Sequence, residues 1–425
     1  MLDGTVPKGV VAAMTETADA VVVGAALNGL AAALALAGRS ARRPLRVIIA
    51  DSKDPRGFSA AGFDGRASVI TASARRMFEA LGVWDKVAPN AQPMREIVVT
   101  DAQPGAAARP ALLRFGETEM AAGPSAHMVE NRHLYAALLD EVLASPGISL
   151  AVGQPVTSFR FGPGLAELRL ADGSALKASL VVAADGTNSA ARRAAGIELT
   201  GWDYGQMGIV ATVEHDLPHH GRAEEHFTPS GPFAILPLPG NRSSLVWTER
   251  TADAARILAL PDAEFMGELR RRFGAHLGEV RLASARHGYP LGLFIARDLV
   301  ADRQALIGDA AHVVHPIAGL GFNLGLRDVA ALAEAVHDAA GLGLDVGGAA
   351  VLDRYATWRR FDTVTTALAM DGLNRLFGND NAGLRVLRDA GLMAVDKAGA
   401  LKSLFVREAA GQTGRVPKLM RGEPV

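Results

Sequence analysis

The chain has 425 residues, well beyond the roughly 100–200 of one domain, so two interlocked domains are expected and a lone small binding module is excluded. Apolar residues make up 49% and charged residues 21%, which excludes a disordered or collagen-like chain and leaves enough apolar surface for a large core. Cysteine is absent, ruling out disulfides, thiolate metal sites, iron–sulfur clusters and cysteine nucleophiles, and a formal charge of −1 gives no global basic field to hold nucleic acid.

The start, with Asp3, Pro7 and Lys8, lacks the basic and apolar regions of a secretory signal, so residues 1–17 read as a flexible leader. Residues 20–38 carry no charge and pass a hydropathy threshold for a membrane span, but Gly24 and Gly29 interrupt them. They read instead as a strand at 20–23, a glycine turn and a helix at 27–37, followed by a second strand at 45–50 that ends at Asp51. This is a βαβ unit, the start of a parallel sheet. Helices are expected at 72–81 and 133–143, strands at 97–100 and 149–152, short strands within 153–176, and a fully apolar strand at 180–184 that stops at Asp185. Alternation at 209–213, 233–236 and 245–248 points to a second, mostly antiparallel sheet, with a helix at 263–273. Another buried strand at 305–307 runs into Gly308 and Asp309, and from residue 324 the chain reads as helical almost to Gly411.

Three blocks carry chemistry. In Gly24-Ala25-Ala26-Leu27-Asn28-Gly29 the strand turns into a helix whose free N–H groups suit a pyrophosphate, and Asp51 follows Gly29 by 22 residues, close to the roughly 20-residue spacing of an acid that takes a ribose hydroxyl. Ala26 stands where such turns commonly carry glycine. Asp185-Gly186 at a strand end reads as a ligand contact, or as a helix cap or turn. Gly308-Asp309, then His312, His315-Pro316, Gly319, Gly321, Phe322 and Asn323, places an acid and a glycine-rich loop before a helix N-terminus, whose partial positive charge suits an electron-rich ring edge. His312 and His315 lack a third ligand at a suitable spacing, so no metal is expected.

These blocks, with Asp64-Gly65-Arg66-Ala67-Ser68, Val129-Glu130-Asn131-Arg132-His133-Leu134, Trp202-Asp203-Tyr204-Gly205-Gln206, Gly325-Leu326-Arg327-Asp328 and Leu376-Phe377-Gly378-Asn379-Asp380, resemble the flavin-dependent aromatic hydroxylases, and within them the ubiquinone-biosynthesis hydroxylases. The likeness covers about residues 18–411. It implies an α/β protein in which a Rossmann-like FAD-binding domain is interleaved with a mostly antiparallel substrate domain, followed by C-terminal helices. The implied division is an FAD-binding part at 18–200 with substrate-domain insertions near 82–128, a substrate sheet at 201–296, a second FAD-binding part at 297–345 and a helical region at 346–425.

By the same resemblance Gly24, Ala26 and Gly29 carry the pyrophosphate turn, Asp51 holds the adenosine ribose, Arg66 and Asn131 face the pyrophosphate and ribityl region, and Asp309 binds the ribityl chain. Gly321, Phe322 and Asn323 would lie along the flavin, with Gly308, Pro316 and Gly319 shaping that loop, while Asp185 and Gly186 brace the cofactor side. Leu320 stands where many relatives carry Gln. Tyr204, Phe227, Pro237 and Trp247 are candidates for the substrate pocket, and equally for core packing. No catalytic base is legible.

The implied reaction hydroxylates a polyprenylated phenol with O2. Only one dinucleotide turn exists, so electrons come from a transient NAD(P)H or from a reductase. Two rivals stay open: an FAD hydroxylase of a small soluble aromatic, and an idle assembly component of a quinone-biosynthesis complex. Residues 384–425 hold eight Lys/Arg and four Asp/Glu. They read either as a basic amphipathic helix on a membrane surface or as a helix packed on its own domain or on a second subunit. The expected place is the cytoplasm, with peripheral attachment to the inner face of the membrane left open by that tail.

Overall fold

The computed structural model describes residues 15–39, 41–57, 65–101, 111–116, 124–377, 411 and 414–425. In chain order the elements that frame the site are β1 Thr15–Val23, α1 Leu27–Ala37, β2 Val47–Asp51, β3 Ala67–Thr71, α2 Ala72–Ala80 and β4 Glu96–Asp101. Then come β5 Ala126–Glu130, α3 Asn131–Ala144, β6 Ile148–Val152, β7 Ala175–Ala183, α4 Ala190–Ala194 and β8 Leu199–His215. The remainder comprises β9 Arg222–Thr228, β10 Gly231–Leu238, β11 Arg242–Arg250, α5 Thr251–Leu258, α6 Asp262–Phe273, β12 His287–Ala296, β13 Gln304–Leu306, α7 Leu320–Gly341 and α8 Ala349–Phe377.

The first sheet has a parallel centre in the order β13, β7, β1, β2, β6. Its strands are apolar where both faces are covered, at Ala20–Val23, Val47–Ala50 and Leu180–Ala183. Leu30, Leu34, Val329, Leu332 and Val336 join α1, α7 and the sheet in one core. From Gly29 to Ala37 every residue of α1 is buried, which is why its sequence passes for a membrane span: a helix apolar all round lies in a protein core as readily as in lipid. Among the described residues no helix is long and apolar enough to cross a membrane. Gly38 ends α1 in the left-handed region at φ 59°, its N–H returning to the Leu34 carbonyl.

The second sheet runs β12, β8, β11, β10, β9, β4, antiparallel except where β4 joins β9 in parallel. One face packs on α5 and α6 through Phe233, Leu245, Trp247, Phe265 and Phe273. The other meets β3 and β5, where Ala223 and Leu238 pack with Val69 and Met128.

Three differences from the sequence reading have physical causes. β1 starts at Thr15 rather than residue 20 because Thr15–Ala18 pair with Ala175–Ala178 of β7, so the leader boundary at 17 falls inside a strand. The long C-terminal helix is two helices, broken where Gly343 takes φ 72° and where a Cβ on Gly347 would lie 1.7 Å from the Ser179 carbonyl oxygen. Helix α5 left no expectation in the sequence. Of the tail, residues 384–410 lie outside the described residues, whereas Leu419 and Met420 are buried in the first core and Lys418 binds Glu334 and Asp338 of α7. That end is packed on its own domain.

Candidate active site

A cavity of about 720 Å³ opens at the C-terminal ends of the parallel strands and extends to the start of α7. At its near end the chain leaves β1 through Gly24 at φ 109°, where a Cβ would lie 2.4 Å from the Ala184 carbonyl oxygen. A Cβ on Gly29 would lie 1.9 Å from the Gly24 carbonyl oxygen. Both glycines are therefore required sterically, one by the turn and one by the close approach of α1. Asp51 accepts the Ala25 N–H at 2.7 Å and the Lys53 N–H at 2.8 Å, and the Tyr135 hydroxyl donates to the Ala25 carbonyl at 3.1 Å. The turn is thus fixed while the first N–H groups of α1, which no side chain caps, face the cavity with the positive end of the helix dipole. Ala26 lines the same wall, its methyl group at the anion side. Gly29→Ala is expected to destabilise the chain by about 1–3 kcal/mol or more and to yield protein without yellow colour. A denaturant titration and the visible spectrum check this.

Midway, Arg66 and Asn131 line one side, tied by the Asn131 N–H donating to the Arg66 carbonyl at 2.9 Å and by Ser68 donating to the Asn131 side chain at 2.7 Å. Asp185 and Gly186 line the other. The Asp185 carboxylate is engaged by Ser189 and by the Ala190 and Ala191 N–H groups, so its main work is to cap α4, while Gly186 at φ 79° leaves the wall low.

At the far end β13 delivers Gly308 and Asp309. A Cβ on Gly308 would meet Asn28 Nδ2 at 2.6 Å, and the Gly308 N–H donates to Asp328 at 3.0 Å. Asp309 is exposed to the cavity, and partial desolvation there raises its carboxyl above the usual carboxylate range. Among the described residues no hydrogen bond or ion pair reaches that carboxyl, and the buried Asn28 Oδ1 also lacks a partner. Such acceptors fit a ligand rich in hydroxyl groups.

Gly321 and Phe322 close the cavity at the first turn of α7. Asn323 departs from its expected place: its amide donates to the Val69 and Gly319 carbonyls and accepts from the Thr71 N–H and hydroxyl, so the side chain staples α7 to β3 and does not line the cavity. Gly319 sits at φ 63° with Val69 Cγ2 2.6 Å from where a Cβ would be, and its N–H closes a turn on the Pro316 carbonyl. The side chain of Leu320 lies outside the described residues.

The four pocket candidates separate. Trp247 is 1% exposed, packs on Phe233 and Phe265, and donates to Glu249 at 2.8 Å. Pro237 pairs with Ser243 on that same α5–α6 face. Both belong to the core, turned away from the cavity. Phe227 points to the other face and stacks on Phe377 with centroids 3.7 Å apart. Tyr204 sits at the bulge in β8, edge-on to His315 and bonded to Asp371.

Arg359 and Glu225 carry no signal in the sequence as site residues. His312 and Arg359 hold Asp328 deep in the core at 2.6 and 2.8 Å, and Asp328 in turn holds Gly308. Burial by itself would raise the Asp328 carboxyl, but His312 and Arg359 beside it keep it below the usual range. Glu225 shares a face of β9 with Ala223 and Phe227, no partner among the described residues reaches its carboxyl, and burial pushes it up to about 7. Its folded value lies above the ordinary 4.5, so stability is full below pH 4.5 and declines until pH passes 7, by on the order of 3 kcal/mol. Glu225→Gln is expected to flatten that decline in ligand-free protein, read as the denaturation midpoint between pH 5 and about 8.

The family pattern described as "FAD binding domain" matches residues 17–365. The ubiquinone hydroxylase UbiL of Rhodospirillum rubrum is 44% identical over 413 residues, covering 96% of this chain and 94% of that protein. The 3-demethoxyubiquinol 3-hydroxylase of Escherichia coli K12 is 33% identical over 398 residues, covering 93% and 99%. Among solved structures, p-nitrophenol 4-monooxygenase PnpA of Pseudomonas putida DLL-E4 superposes with a TM-score of 0.77 over 95% of this chain and 100% of that one, at 19% identity, a likeness of fold.

Proposed function

This chain belongs to the FAD binding domain family of flavin-dependent hydroxylases, and from that membership we propose that it hydroxylates the aromatic ring of a polyprenylated phenol in ubiquinone biosynthesis, using O2 and electrons from NAD(P)H or a reductase. The observation that carries the reading is the cavity itself, which joins an uncapped helix N-terminus at one end to the cavity-facing Asp309, unpartnered among the described residues, and the Gly321–Phe322 turn at the other. That spacing of an anion site and hydroxyl acceptors fits a dinucleotide with a polyol linker.

FAD, when bound, supplies the electron transfer and oxygen activation that no side chain can perform. The N–H groups at Ala26, Leu27 and Asn28 would take the pyrophosphate, with Arg66 beside it, and Asp51 retains lone pairs for a ribose hydroxyl. Asp309 and Asn28 would accept from the ribityl chain. The start of α7 presents its N–H groups and dipole to the ring end, where they stabilise negative charge. Phe322 makes that end apolar, which limits water near the reacting oxygen.

A substrate of this class stays in the bilayer, so we place the enzyme in the cytoplasm at the membrane surface. Phe361, 79% exposed, and Leu368, 59% exposed, lie on one face of α8 and support that placement. The deciding experiment is mass spectrometry of quinone intermediates in a strain lacking this protein: a precursor short of one ring hydroxyl is expected, restored by the wild-type chain. An unchanged quinone profile, or turnover of a plain soluble phenol alone, would set the reading aside.

A further inference from the structure

His315 is 0% exposed, yet neither nitrogen of its ring has a hydrogen-bond partner among the described residues. Buried polar groups in folded proteins are nearly always paired, so an imidazole with two unmade bonds calls for a specific account. The residue stands between the short strand His312–Val313, which pairs with β12, and the turn that starts α7. Its neighbour Val314 lies 3.8 Å from where Gly321 would carry a Cβ, and Gly321 with Phe322 closes the ring end of the cavity. His315 does not itself line the cavity but lies behind the wall expected beside the reacting ring, so a ring hydroxyl reaches it only if that turn shifts.

What surrounds the imidazole narrows its use. The Tyr204 ring lies edge-on at 5.5 Å, but its hydroxyl donates to Asp371 at 2.9 Å and is already engaged. One turn along α8, Asn374 donates to Gln206 at 3.1 Å while its own Oδ1 is buried and unpartnered. The seam between β8 and α8 therefore holds acceptors that the protein does not use. Resting on the hydroxylase reading above, we infer that His315 accepts the hydrogen bond of the substrate's ring hydroxyl, which fixes the ring's rotation in the pocket. Burial holds the imidazole down to about 4, so at neutral pH it is uncharged and keeps a lone pair for that bond. An accepted hydrogen bond leaves more electron density on the phenolic oxygen and, through it, on the neighbouring ring carbons.

The test uses full-length, FAD-loaded protein and two probes, 2-geranylphenol and its methyl ether, which cannot donate. Wild-type protein is expected to bind the phenol about tenfold to a hundredfold more tightly than the ether, read from the flavin spectrum. His315→Leu is expected to bind both alike, to retain FAD, and to unfold at a higher temperature without ligand, because a buried polar group with no partner has been removed. His315→Gln, which restores an acceptor, is expected to recover part of the preference and serves if the leucine variant folds poorly. Retained preference in both variants, loss of FAD, or a lower unfolding temperature in the leucine variant would each overturn the assignment while leaving the hydroxylase reading intact. Wild-type protein that binds neither probe would remove that reading and this inference together.

Discussion

Asp309→Ala releases FAD: the dissociation constant is expected to rise at least tenfold, and purification to give largely colourless protein. The carboxyl faces the cavity with no partner of its own, so the hydroxyls of the ligand are its natural donors, and a hydrogen bond to a charged acceptor contributes about 1.5–3 kcal/mol. The same variant is expected to leave the ligand-free fold about as stable as before, because the exposed carboxyl makes no hydrogen bond to the described residues that the variant would lose. Flavin fluorescence titration beside a denaturation curve separates the two effects. A variant that remains fully yellow with an unchanged constant would remove Asp309 from the cofactor site.

Arg359→Met strikes deeper. Arg359 is 1% exposed, and its guanidinium holds Asp328, itself 1% exposed, while also binding Asp362. Deleting one partner of a buried pair leaves the other charged and dry, which typically costs about 3–5 kcal/mol. Since Asp328 also holds the Gly308 N–H, the loop that carries Asp309 loosens with it, and FAD affinity is expected to fall together with stability. The Asp328 carboxyl lies below its ordinary value, so the stability it confers is present above that value and lost as pH falls through the folded one. Wild type should therefore lose stability in acid more steeply than the double variant Asp328→Leu, Arg359→Met. Equal denaturation midpoints for wild type and Arg359→Met would contradict this account.

The parts of the site legible in the sequence are those whose chemistry is local. Gly24, Gly29 and Asp51 advertise themselves by spacing, and Gly308-Asp309 by ending a buried strand, because a turn needs particular residues whatever surrounds it. Trp247 and Pro237 were beyond that reach. Both faces of the second sheet are covered, one by α5 and α6 and the other by β3 and β5, so alternation reveals a strand without revealing which side fronts the ligand. Asn323 looked like a cofactor contact for a related reason: its partners, Val69 and Thr71, lie some 250 residues away in the chain. Glu225 sits in a run of charged residues that reads as an exposed edge until β4 pairs alongside β9 and buries it. The break between α7 and α8 depends on Gly347 meeting β7, another distant contact.

The interleaving of the two sheets sets a timetable for synthesis. β1, β2 and β7 leave the ribosome early, but their neighbour β13 ends only at Leu306, and the loop with Asp309 and Phe322 follows it. β4, meanwhile, pairs early with the strand Ala111–Phe115, but its other edge must wait for β9 to be made. A nascent chain stalled before residue 300 therefore exposes unpaired strand edges and lacks the loop proposed to meet the flavin ring, so on that proposal cofactor capture falls in the last third of translation and chaperone demand in the interval before it.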